Sequence, residues 1–153
     1  MIDTPRIVQT EKRLTAVIKL RVPTAQIREF MGPGIQELTA AVAAQGIAIT
    51  GPWFTHHFKR PGEFFDFEIS LPVASPVAPA GRVTPGVWPA MKLIRTVYHG
   101  PYEGLHAAWP EFETWVKNSG HKVTEDFWEC YNVGPESGPD GAKYQTELNW
   151  PLV

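Results

Sequence analysis

Cysteine is almost missing from this chain: Cys130 is the only one in 153 residues. No disulfide can form within the chain, which excludes a disulfide-held secreted scaffold and points to a reducing compartment. Basic residues are not in excess either. Fourteen Lys and Arg stand against sixteen Asp and Glu, a formal net charge of −2. With no run of Lys or Arg, the basic face of a nucleic-acid binder is lacking and no nucleic-acid partner is expected. No apolar stretch approaches the roughly 18 residues of a membrane span. The opening Met1-Ile2-Asp3-Thr4-Pro5 puts an acid and a proline where a signal peptide needs basic and then apolar residues. A cytoplasmic protein with no membrane partner is expected. His56, His57, His99, His106 and His121 form no metal-ligand spacing, and there is no CxxC pair. Neither a Gly-rich phosphate loop nor a nucleophile elbow is found. No metal and no cofactor are therefore expected, and Cys130 reads as a core thiol.

What the chain does have is aromatic surface: six Trp, eight Phe and four Tyr. These side chains either all belong to the core or leave some to line a cavity. The length suits one domain, able to bury roughly 68–70% of its unfolded surface.

Leu14, Ala16, Ile18 and Leu20 alternate with polar residues and predict a half-buried strand. Gly32-Pro33-Gly34 reads as a break. Ile35, Leu38 and Val42, among alanines, predict a helix ended by Gly46 at C′. Strands follow over 53–58 and 65–73, joined by the turn Arg60-Pro61-Gly62-Glu63. Residues 74–89, rich in Pro and Gly, read as an exposed linker. The order then repeats. A strand at 90–98 precedes a break at Gly100-Pro101. Leu105, Ala108, Trp109, Phe112, Trp115 and Val116 form one helical stripe, with a kink or restart expected at Pro110. Strands at 127–133 and 144–150 close the chain, joined by a Gly/Pro-rich loop.

The letters support a duplication of 6–73 by 90–153. Gly46 and Gly120 each precede an aromatic pair by seven residues, and Glu68 and Glu147 each stand four before a proline. The fold class expected for this single domain, 1–153, is α+β. Its duplicated β-α-β-β units form antiparallel sheets with helices on one face and a ligand cleft between the halves.

Strand parity then nominates site residues. Leu148 and Trp150 pack on a helix, which turns Glu147 and Asn149 the other way, toward the cleft. Glu68 is the counterpart of Glu147 in the first half. If Trp128 and Cys130 are core, Tyr131 also faces the cleft, and His57 takes its place in the first half. Trp53, His57, Tyr102 and Tyr131 are candidate walls. A carboxylate amid aromatic rings is costly to bury unless paired. A cationic ligand can pair it, with cation–π attraction from the rings. The carboxylate can instead act as a general base with the Tyr131 hydroxyl as partner. It can also be a plain sheet-surface glutamate.

The stretch Tyr98-His99-Gly100-Pro101-Tyr102-Glu103-Gly104-Leu105, Trp115 before Gly120, Trp128 with Tyr131, and the closing Thr146-Glu147-Leu148-Asn149-Trp150-Pro151 resemble the GyrI-like, or effector-binding, small-molecule domains. The resemblance is strongest over 93–153 and weaker over 6–73. It implies a duplicated β-α-β-β fold with Glu147 in a binding cavity and Tyr131 near it. It also implies a bulky, flat, often cationic aromatic ligand. Because the chain opens directly on strand, it resembles a stand-alone member. Some such members are similar to hydrolases that open cyclopropane rings of alkylating natural products with the matching Glu and Tyr. Others act on DNA gyrase, which keeps a protein partner open. Asn149 stands where the family commonly has Tyr, and His57 replaces a common first-half Tyr. The expectation is a hydrophobic or cationic aromatic small molecule as partner, bound by Glu147, Tyr131, Trp53, His57, Tyr102, Glu68 and Asn149. Glu147 and Tyr131 are the catalytic pair if the protein is an enzyme; the oligomeric state is left open.

Overall fold

The alternation of apolar and polar side chains becomes antiparallel strands, and the two helical stripes become the helices that cover them. The computed structural model describes residues 2–60 and 62–153, with only the backbone of residues 28 and 136. Pro61, in the turn expected at 60–63, lies outside the described residues, as does Met1. The chain divides into two compact units, 11–90 and a unit made of the first ten residues with 91–153.

The 11–90 unit holds β2 (Arg13–Pro23), α1 (Ile27–Ala44), β3 (Phe54–His57), β4 (Phe64–Pro72) and β5 (Val83–Trp88). Its antiparallel sheet runs β5-β2-β4-β3, and α1 packs on β2 and β4. Ala16, Ile18, Leu20, Leu38, Val42, Phe67, Ile69 and Leu71 form the core between them. The other unit holds β1 (Arg6–Gln9), β6 (Lys92–His99), α2 (Leu105–Asn118), β7 (Phe127–Val133) and β8 (Gln145–Pro151). Its sheet runs β1-β6-β8-β7, also antiparallel. Ile94, Tyr98, Ala108, Phe112, Val116, Phe127, Leu148 and Trp150 form its core. Each unit is thus the expected β-α-β-β motif with one added edge strand, β5 or β1. Corresponding elements stand in the same order in both sheets.

The helix ends show why the sequence was readable. Gly46 takes φ +67°. Its N–H donates to Ala43 O at 3.0 Å, and Ile47 N–H donates to Val42 O at 3.3 Å. These two bonds satisfy carbonyls that the helix leaves orphaned. Gly120, with φ +79°, ends α2, its N–H donating to Lys117 O at 3.2 Å.

Three expectations need correction. Gly32-Pro33-Gly34 does not break the chain, because α1 runs through it. A side chain at Gly34 would bring its Cβ to 2.7 Å from Ile69 Cδ1, so the glycine permits close approach of helix to sheet. Likewise α2 continues through Pro110 as one helix. Finally, 74–89 is not simply exposed linker. Val83–Trp88 pairs with β2, and Trp88 is only 2% exposed, its ring 5.1 Å from Phe54. Pro85 is tolerated because β5 is an edge strand of its unit, where one row of N–H groups is not needed for pairing. Among the described residues, no helix is long and apolar enough to cross a membrane.

Candidate functional site

The cross-strand register decides which side chains can meet. In β8, Leu148 and Trp150 face α2, as the parity predicts, and Glu147 and Asn149 face away from it. Cys130 lies directly opposite Glu147, and Tyr131 directly opposite Thr146. Directly opposed residues of an antiparallel pair share a face. Tyr131 therefore lies on the helix-covered face and Glu147 on the other. This corrects the expectation that the two look into one cleft. Its premise, that Trp128 and Cys130 pack under the helix, fails: both are buried, but on the Glu147 side.

The helix-covered face carries a different carboxylate, Glu129, which parity alone did not nominate. Phe127, Glu129 and Tyr131 alternate along β7 toward α2. Glu129 is 8% exposed and Tyr131 6%. The Tyr131 hydroxyl donates to Glu129 Oε1 at 2.6 Å, and the Trp109 indole N–H from α2 donates to Oε2 at 2.6 Å. Both bonds are short, as expected of charge-assisted bonds, and both come from neutral donors. Rings wall the group. Trp109 stacks obliquely on Phe127 at 4.4 Å, and Tyr102 meets Tyr131 edge-on at 5.7 Å and Tyr144 at 5.4 Å.

Tyr102 is placed by the glycine turn before α2. The Tyr98 hydroxyl donates to Pro101 O at 2.8 Å. A Cβ at Gly104 would overlap that hydroxyl, and one at Gly100 would come within 2.7 Å of it. The glycines let the turn fold down on Tyr98, which holds Tyr102 beside Tyr131. The loop after β7 closes on the same turn, with Gly100 N–H donating to Tyr144 O at 3.0 Å.

Glu147 sits in a compensated polar network. Its carboxylate is 18% exposed and 3.2 Å from Arg95 Nε. Asn149 Nδ2 donates to it at 3.1 Å, while Arg95 donates to Asn149 Oδ1 at 2.6 Å. Asn149 itself is fully buried.

The remaining nominated residues belong to the 11–90 unit. His57 faces α1, stacked on Phe67 at 5.2 Å, with Nε2 3.0 Å from Thr55 Oγ1. The Thr55–His57 pair in β3 occupies the place of Glu129–Tyr131 in β7: two residues apart, on the helix side, joined by a side-chain hydrogen bond. Trp53 is half-buried against the core of this unit. Glu68 faces away from α1, 3.5 Å from His56 Nδ1. An open apolar depression of about 210 Å³ is lined by Leu14, Thr15, Pro76, Pro85, Gly86 and Val87. Its lining offers no charged side chain. Among the described residues, no three His, Cys, Asp or Glu side chains cluster so as to hold a metal ion.

Comparison with known proteins agrees with the architecture. The chain resembles the C-terminal domain of EcmrR, with TM-score 0.86 and 22% identity over 98% of this chain and 97% of that domain. In the EcmrR–DNA complex the TM-score is 0.85 at 23% identity, over 97% of this chain. There the chain spans 57% of the EcmrR chain. A hydrolase encoded by lin2189 from Listeria innocua matches with TM-score 0.72 and 12% identity, over 97% of this chain and 91% of that one. SAV2435 bound to tetraphenylphosphonium matches with TM-score 0.66 and 12% identity, over 99% and 94%. At these identities the likenesses concern the fold. No curated protein matches the chain. The family model for the GyrI-like small molecule binding domain matches residues 3–153, and the chain belongs to that family.

Proposed function

We propose that the helix-covered face around Glu129 binds a hydrophobic, flat organic molecule that carries positive charge. The observation that carries this reading is the side chain of Glu129, a residue only 8% exposed, whose carboxylate accepts from Trp109 and Tyr131 at 2.6 Å within an aromatic wall. A carboxylate so little exposed attracts a cation with little screening by water. The rings add cation–π attraction and stacking. The tetraphenylphosphonium complex of SAV2435, a protein of the same fold, supports a cation as ligand.

The test is a titration with tetraphenylphosphonium and a panel of flat cationic and neutral dyes, followed by tryptophan quenching. Glu129→Gln is expected to weaken cation binding by about 10–100-fold, equivalent to about 1.4–2.8 kcal/mol. Glu147→Gln is expected to stay within about threefold of wild type. If Glu147→Gln takes the loss and Glu129→Gln does not, the ligand sits on the opposite face and the proposal is wrong.

A second reading, hydrolysis of a strained electrophilic ring such as a cyclopropane, draws on the direct Tyr131–Glu129 hydrogen bond. Glu129 would take a proton from water as its oxygen bonds to a ring carbon. Tyr131 would give its proton to the carbon released when the ring bond breaks, and the pair would then exchange the proton back. The fold likeness to the Listeria innocua hydrolase is consistent with this. Incubation with a cyclopropane-bearing alkylator should give a product one water heavier. Tyr131→Phe should bind the substrate yet fail to convert it. An unchanged substrate pool with wild type leaves binding as the function.

A further inference from the structure

Thr146 occupies the middle of a cross-strand row, with Tyr98 of β6 on one side and Tyr131 of β7 on the other. The row lies on the helix-covered face, the same face as Glu129. Thr146 is 0% exposed, and its hydroxyl has no hydrogen-bond partner among the described residues. The protons of both flanking tyrosines are committed, Tyr98 to Pro101 O and Tyr131 to Glu129. Valine would fill the same volume without burying an unused polar group. Buried groups of this kind are rare in native proteins and call for a specific cause, such as a role in the site. The backbone beside it is also irregular. β7 slips register between Tyr131 and Val133, where two steps on β7 match one step from Thr146 to Gln145 on β8. Bulges are over-represented next to functional sites, where they re-aim side chains.

We infer that the Thr146 hydroxyl is a specificity contact of the Glu129 site, an inference that rests on the binding reading above. It forms a hydrogen bond with a polar substituent of the ligand. The ligand class is then narrower than a hydrophobic cation: a flat cation bearing an amine, hydroxyl or carbonyl group that reaches the Tyr98–Thr146–Tyr131 row. The carboxylate of Glu129 supplies attraction common to all cations. Thr146 supplies discrimination among them, because a site built around a hydrogen bond rejects an analogue that lacks the matching group.

Two tricyclic monocations separate these roles: proflavine, with ring amines, and N-methylacridinium, with none. Each is titrated against wild type, Thr146→Val, Thr146→Ser and Glu129→Gln. Thr146→Val should weaken proflavine about tenfold, about 1.4 kcal/mol. It should leave N-methylacridinium within about twofold and raise the melting temperature of the free protein. Thr146→Ser, which keeps the hydroxyl, should restore proflavine binding. Equal effects of Thr146→Val on both dyes, or no effect on either, overturn the inference. The control separates the two levels. Glu129→Gln weakening both dyes, without selective loss in Thr146→Val, leaves the Glu129 reading standing and removes only the role of Thr146. Glu129→Gln affecting neither dye removes both.

Discussion

The Tyr131–Glu129 bond can be weighed without knowing any ligand, through a double-mutant cycle in which Tyr131→Phe is made in wild type and in Glu129→Gln. In wild type the substitution removes one of two 2.6 Å donors from a carboxylate that is 8% exposed. Hydrogen bonds to charged groups contribute about 1.5–3 kcal/mol, and neutral ones about 0.5–1.5 kcal/mol. Phenylalanine fills nearly the same volume, so no cavity term of note is added. Tyr131→Phe should therefore cost about 1.5–3 kcal/mol in wild type. In Glu129→Gln the amide oxygen still accepts from Tyr131, now as a neutral bond. There the same substitution should cost about 0.5–1.5 kcal/mol, leaving a coupling of about 1 kcal/mol. The assay is urea unfolding of the four proteins at pH 7, read by tryptophan fluorescence and far-UV circular dichroism. If the two units unfold in separate steps, the step of the unit containing β7 is the one compared. Equal costs in both backgrounds, within the roughly 0.3–0.5 kcal/mol of ordinary additivity, would refute the assignment of Glu129 as a charged acceptor held by Tyr131.

Two further outcomes follow from packing. Gly104→Ala places a Cβ on the Tyr98 hydroxyl and should destabilise by about 1–3 kcal/mol. Adding Tyr98→Phe removes the obstructing oxygen and should recover part of the loss in thermal melts; a neutral Gly104→Ala contradicts the close approach. Trp88→Ala empties a site that is 2% exposed, beside Phe54 and under the Arg13 guanidinium. It should cost about 3–5 kcal/mol, whereas a change within about 0.5 kcal/mol fits a tryptophan on an exposed linker.

The two β-α-β-β motifs were legible because local signals agreed with the packing. Gly46 and Gly120 end the helices with positive φ, and Leu148 and Trp150 declare the buried face of β8 against polar Glu147 and Asn149. β7 gave no such declaration. Phe127 and Tyr131 on one face, and Trp128 and Cys130 on the other, are all buried, so apolar alternation cannot choose between them. The choice comes from pairing, which sets Cys130 against Glu147. That pairing connects residues far apart in sequence. Parity sets Glu129 on the face of Tyr131, two residues along one strand, but it does not give that this face lies under α2, where Trp109 reaches the Glu129 carboxylate. β5 was hidden by composition, since Pro85 and Gly86 resemble linker. Yet Gly86 lies where a Cβ would come within 2.7 Å of Thr15 Oγ1. The Gly-Pro-Gly of α1 misled in the same direction, because the closeness of Ile69 is a property of the packed helix and not of its own segment.

The two units reach completion at different moments of synthesis. Every strand and the helix of the 11–90 unit come from one continuous stretch, so this unit can close as soon as that stretch has left the ribosome. β1 is made before any of it but pairs with β6, and just before β1 Asp3 O accepts from Thr96 Oγ1 of β6 across 93 positions. Until then the first ten residues carry unpaired backbone. Ile7 remains 48% exposed even in the finished fold, and with just four residues the strand is short enough to wait with little risk of pairing elsewhere. A nascent chain stalled shortly after residue 90 would thus present one folded unit trailing an unpaired leading strand.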